Sequence, residues 1–140
     1  MAFGPLLALA LMASDPTSVP AEDDLDGTWL ATSAELGGKP FPDEVRKAIR
    51  LEIQGDRYTV TVGGGPDKGT CKRDGSAKPR ALDITGTEGP NQGKTIPAIY
   101  ERVGDKLKVC YNLGGPDRPK EFKTEAGTAL FLVEYALQKP

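Results

Sequence analysis

The sequence predicts an all-β domain: a single antiparallel up-and-down barrel of about eight strands, with one short helix near its open end. Three observations carry that expectation. Seventeen glycines and twelve prolines in 140 residues fall between short apolar runs, which is the punctuation of turns between strands. The runs themselves alternate apolar and polar residues at period two. Only the segment after Pro42 has helical spacing, and a chain of this length makes one core rather than two.

The elements follow in order. GTWLATSAEL, Gly27 to Leu36, is the first strand. Pro42 and Asp43 then start a short helix with Val45, Ala48 and Ile49 on one apolar side. RLEIQ and RYTVTV place Leu51, Ile53, Tyr58, Val60 and Val62 at period two across the turn Gly55-Asp56. GTCKRD, ALDIT and TIPAIYERV come next, and Pro97 in the last suggests an edge or a bulge. KLKVCYN follows Gly104-Asp105, and ALFLVEYAL, Ala129 to Leu137, closes the series. Glu121 to Lys123 has the letters for one further short strand.

In a closed meander, successive loops come out at alternate ends. The loops after the first, third, fifth and seventh strands therefore share one rim. That rim carries the helix and three related phrases: GGGPDKGT (Gly63 to Thr70), EGPNQGKT (Glu88 to Thr95) and GGPDRPK (Gly114 to Lys120). A phosphate loop needs G-x-x-x-x-G-K-[ST] between a strand and a helix. Here the spacing falls short and no helix follows, so the phrases read as turns.

Residues 1–21 are expected to be an export signal or N-terminal arm, and 22–140 the barrel. The apolar run Pro5 to Ala13 is too short to span a bilayer. Val19-Pro20-Ala21 supplies a cleavage site, although no Lys or Arg precedes the run. The expected location is exported: periplasmic, secreted or cell envelope.

A formal net charge of −2, with cations scattered among acids, gives no footprint for nucleic acid. Histidine is absent, which excludes histidine triads and dyads and histidine-ligated metals. Cys71 is read as inward and Cys110 as outward, so the two do not suit a disulfide. They also supply too few soft ligands for a metal. No cofactor is expected.

The phrases LDGTW, GKPFP, GDRYTV, KPRALDIT, EGPNQGKT leading into IYER, GDKLKVCYN and RPKEF run in order from Leu25 toward the C-terminus. As a series they resemble a family of small, mostly uncharacterised domains abundant in planctomycetes and grouped with lipocalin-like barrels. The resemblance implies the barrel and an exported context, and brings no established catalytic residues. Gly27-Thr28-Trp29 is similar to the Gly-x-Trp that opens the first strand of lipocalins. There the Trp plugs the closed end beneath a basic side chain; the basic partner is not assignable here from sequence.

The leading functional expectation is a binding module for a small apolar or amphipathic molecule in the barrel interior. Trp29 is expected at the floor with Tyr58 near it, and Tyr111 inward near the rim as a ligand contact. Arg118 is a candidate carboxylate clamp at the mouth, or else pairs with a neighbour such as Glu121 or Glu101. Lys68 and Lys94 are further rim cations, set beside Asp67, Glu88 and Asp117. The alternative is a histidine-free hydrolase, glycosidase- or esterase-type, using Glu101, Glu134, Tyr100 or Tyr111. It rests on Glu101 sharing parity with Ile99 and Val103, and Glu134 with Leu130 and Leu132. A third reading is a cell-envelope interaction domain using an exposed edge near Pro97. Monomer and dimer both stay open.

Overall fold

The computed structural model describes residues 24–139. The expected export segment, residues 1–21, lies outside them. Among the described residues the strands are β1 (Gly27–Leu36), β2 (Lys39–Pro40), β3 (Ile49–Gln54), β4 (Arg57–Val62), β5 (Asp67–Asp74), β6 (Arg80–Glu88), β7 (Thr95–Val103), β8 (Lys106–Asn112) and β9 (Leu130–Leu137), and the helix is α1 (Asp43–Arg46). All pairings between strands are antiparallel. β1 joins β3 on one side and β9 on the other, so eight strands close a barrel and β2 is a two-residue extension beside β1. No helix among the described residues is long and apolar enough to cross a membrane.

Period-two sequence becomes period-two burial. β3 alternates buried and exposed residues throughout, with Ile49, Leu51 and Ile53 facing inward. β8 sends Leu107, Val109 and Tyr111 inward. Two hairpins at the closed end fix the register. Gln54 pairs with Arg57 and Val103 with Lys106, leaving Gly55-Asp56 and Gly104-Asp105 as two-residue loops. Their glycines have φ +62° and +60°, and among the described residues no non-glycine has positive φ. That is the type II′ turn, whose twist matches the flanking strands.

β1 changes partners along its length. Gly27 to Leu30 pair with β3, while Glu35 and Leu36 pair with β2. A bulge falls between Ala31 and Ser33 in the ladder with β9. Arg46 of α1 donates from Nη1 to the Ala31 carbonyl at 3.0 Å, satisfying a group that β3 has left. The helix is shorter than its spacing predicts. It ends before Ala48, buries none of its residues, and Ile49 is the first residue of β3.

The chain from Asn112 to Ala129 forms a strap rather than a further strand; Glu121 to Lys123 is not in the sheet. It leaves the rim, runs over the outer wall and returns to β9. Arg118 pins it, donating to the carbonyls of Leu82 (3.3 Å) and Ala98 (3.0 Å) and to Asp83 Oδ1 at 2.7 Å. The Cys110 thiol donates to the Lys123 carbonyl at 3.6 Å, and Lys108 lies 5.5 Å from the Phe122 ring centroid. Thr124 then bonds Glu35 and accepts from Gly38 N, tying the strap to the β1–β2 turn.

The expected edge at Pro97 does not exist. β7 lies between β6 and β8, with Pro97 opposite Asp83. Pairing with β8 begins only at Ala98, so the N–H that proline lacks is not required there.

Candidate functional site: the barrel interior

The two ends of the barrel differ. At the closed end, residues 24–26 cross the opening and bury Leu25 completely. Trp29 is fully buried and donates from Nε1 to the Leu25 carbonyl at 2.9 Å. Over its ring, 5.1 Å from the centroid, sits Arg102. Arg102 is held by the carbonyls of Gly104 (2.8 Å) and Asp24 (2.5 Å). It is the basic partner that sequence alone left unassigned. Asp26 Oδ1 accepts from Gly55 N at 2.8 Å, so the LDGTW and GDRYTV phrases are joined at the floor.

At the other end the interior opens as a cavity of about 360 Å³. Its wall is aliphatic, with Ile49, Leu51, Ile53, Leu82, Ile84 and Ile96 among the lining side chains. Gly64, Gly65, Pro90, Asn91 and Leu113 form its mouth. The first two Gly-Pro phrases therefore meet there as the alternation of hairpins requires. The third departs after Leu113: Asn112 accepts from Gly114 N at 3.0 Å and donates to the Asp117 carbonyl at 2.8 Å, turning the chain toward the outer wall.

Tyr58, Asp67, Asn91, Tyr111 and Tyr135, with the Cys71 thiol, break the apolar lining from within, and all but Asn91 are buried. Tyr58 pairs with Gly69 across β4–β5, placing Asp67 and Cys71 as its diagonal neighbours on the inner face. Gly69 makes room for the ring, since a Cβ there would lie 2.8 Å from Tyr58 Cε2. Tyr58 is 5% exposed, and its hydroxyl has no hydrogen-bond partner among the described residues. Burial pushes that hydroxyl up to about 12, with Asp67 and then Cys71 adding to the rise. Tyr111 and Tyr135 share one hydrogen bond at 2.8 Å, and both are raised, chiefly by burial. Burial likewise raises the Cys71 thiol, so it stands as a neutral thiol and not a nucleophile.

Asp67 is 7% exposed and faces the cavity near its mouth. Its Oδ2 accepts from Asn91 Nδ2 at 2.6 Å and its Oδ1, more loosely, from Asn91 N at 3.4 Å. Opposite, Phe131 stacks on Tyr111 at 5.6 Å and meets Phe41 at 5.4 Å. Phe41 comes from the connection between β2 and α1, so that short segment contributes an aromatic side chain to the core.

The structure brings Tyr58 and Tyr111 into the cavity, buries Trp29 at the closed end of the barrel and buries Tyr100 on the inner face of β7. It places the other candidates elsewhere. Lys68 and Lys94 are exposed and do not line the cavity. Arg118 clamps the strap to the outer wall and binds Asp83, not Glu121 or Glu101. Glu101 and Glu134 are exposed, flanking Lys108 in adjacent ladders on the outer face.

One physical cause explains these misplacements. The strap covers outward-facing Ile99 and Cys110, burying them to 1% and 0%, so their strands carry apolar residues on both faces. Parity with Ile99 then makes Glu101 look inward, and parity with Leu132, opposite Cys110, does the same for Glu134. Both cysteines are free. Asp67, Phe131 and Tyr135 escaped sequence reasoning, though their parity with Cys71 and Val133 marks the inward face.

No family model matches the chain, and no curated protein matches it. Among solved structures, a DUF4847 family protein from Bacteroides vulgatus is similar. The likeness covers 82% of this chain and 94% of that one, at a TM-score of 0.50 and 17% identity. At that identity it shows the fold: a β-barrel shared with a member of an uncharacterised domain family.

Proposed function

We propose that the protein is a binding module that takes a small, largely apolar molecule into its barrel. The observation that carries the reading is the cavity of about 360 Å³ with the Tyr58 hydroxyl buried in its lining and without a partner among the described residues. The volume lies in the range of small-molecule sites, which pair apolar walls with a few placed polar groups. An unsatisfied buried hydroxyl costs about 1–3 kcal/mol, and a ligand acceptor beside it removes that cost. The hydrolase reading has less support, because its two glutamates lie outside the barrel and Asp67 is the one carboxylate among the lining residues.

The test is a titration with the neutral fluorophore N-phenyl-1-naphthylamine. Saturable, one-to-one enhancement is expected, weakened at least tenfold in Val60→Trp, where the new ring fills the cavity. Enhancement that never saturates, or that survives in a folded Val60→Trp protein, would contradict the reading. The ordered phrases from LDGTW to RPKEF support our placing of the chain with the planctomycete-type family and in an exported location. Fractionation of the native cell, with sequencing of the mature N-terminus, tests the export.

A further inference from the structure

From the distribution of charge and hydrogen-bond donors in the cavity, we infer that its ligand is a neutral or amine-bearing amphiphile, and that carboxylate ligands such as fatty acids are refused. This rests on the binding reading and narrows it.

The interior offers donors. The Tyr58 hydroxyl is unused, and the Tyr111–Tyr135 bond consumes one of that pair's two hydroxyl hydrogens. A carbonyl, ether or hydroxyl oxygen suits those hydrogens. A carboxylate oxygen also accepts, so donors alone do not discriminate.

Charge does. Among the described residues no Lys or Arg lines the cavity, and Asp67 is the one charged side chain that does. The rim cations do not relieve this: Lys68 and Lys94 point to solvent and Arg118 is engaged on the outer wall. A carboxylate entering here leaves water with no Lys or Arg among the lining side chains to meet it, and faces a like charge, Asp67, in a low-dielectric wall.

An amine meets the reverse. Among the described residues Asp67 receives two hydrogen bonds, both from Asn91, while a carboxylate has about four lone-pair positions. Asp67 therefore keeps acceptor capacity beside the mouth, where the head of a molecule inserted tail-first comes to rest. Asn91 holds the carboxylate by neutral amide hydrogen bonds and brings no cation to it. The apolar body then lies along Ile49, Leu51, Ile84 and Ile96.

The experiment is displacement of bound N-phenyl-1-naphthylamine at pH 7 by three molecules of equal chain length: decylamine, decanol and decanoate. Decylamine and decanol are expected to displace the probe at least tenfold more effectively than decanoate. In Asp67→Asn the decylamine advantage over decanoate should shrink to within about threefold, and Tyr58→Phe should weaken decanol several-fold. Decanoate displacing as well as decanol from the unaltered protein would overturn the inference while leaving the binding reading intact. Failure of all three to displace the probe would remove the cavity reading, and this inference with it.

Discussion

The Arg102 guanidinium lies 5.1 Å from the centroid of the Trp29 ring and is fixed there by the carbonyls of Asp24 and Gly104. A fully buried indole, a cation on its face and two backbone acceptors close one end of the barrel. Cation–π contact at a partly desolvated site is worth about 0.5–2 kcal/mol, and the charged hydrogen bonds add to it. Arg102→Ala should lower stability by about 2 kcal/mol in urea unfolding, and Trp29→Ala by about 3–5 kcal/mol as the floor empties. Equal stability of Arg102→Ala and the parent would show that the floor holds without its cation.

Asp26 makes a narrower claim testable. Its carboxylate receives the Gly55 amide of the first tight hairpin. Asp26→Ala should cost about 0.5–1.5 kcal/mol, and amide exchange at Gly55 should speed up while that at Gly104 does not. Uniform acceleration of both would mean that the residue acts on the whole barrel.

The strap predicts thiol chemistry. Cys110 is buried beneath it, and its thiol is raised by burial. With Cys71→Ser leaving a single thiol, Arg118→Ala should raise the labelling rate of Cys110 by a maleimide at least fivefold at constant pH. The Arg118–Asp83 pair is itself partly exposed and worth little alone. Asp83→Ala should therefore open the strap less than Arg118→Ala, which also loses two carbonyl bonds. An unchanged labelling rate in Arg118→Ala would mean that the strap is held elsewhere.

Alkaline pH probes the buried phenols. The Tyr58 hydroxyl is raised from 10.0 to about 12 in the folded protein. A raised folded value means that the stabilisation is complete below pH 10 and lost as pH climbs through about 12, because the unfolded chain ionises first. Tyr111 and Tyr135 move in the same direction. The raised thiols of Cys71 and Cys110 lose stability in the same way from about pH 9, so the test is made in the Cys71→Ser/Cys110→Ser background. There the melting temperature should hold to about pH 10 and then fall, with a shallower fall on adding Tyr58→Phe. A fall above pH 10 that is as steep with Tyr58→Phe as without it would contradict the buried, neutral Tyr58 phenol.

How much of this is legible in the sequence depends on which face of a strand meets water. Where the outer face is solvated, period two reads correctly: Leu51 and Ile53 in β3, Leu82 and Ile84 around outward Asp83, and Cys71 in β5 all lie as alternation predicts. The Gly-Asp hairpins are equally readable, since a two-residue turn with positive φ at its first position selects glycine. Sequence fails where the strap turns an outer face into a second interior. Glu101, Glu134 and Arg118 all belong to that region, and a covering loop leaves no periodic mark. Arg102 is hidden for another reason. Its role depends on Trp29, 73 residues away in the chain, and parity alone does not pair them.

The five isoleucines divide the central claim cleanly. Ile49, Ile53, Ile84 and Ile96 line the cavity, while Ile99 is buried outside the wall. Methyl-labelled protein titrated with decanol should show saturable shifts of the first four δ-methyl resonances and a stationary Ile99. Shifts confined to Ile99, or none at any of the five while decanol binds, would place the ligand outside the barrel and contradict the account.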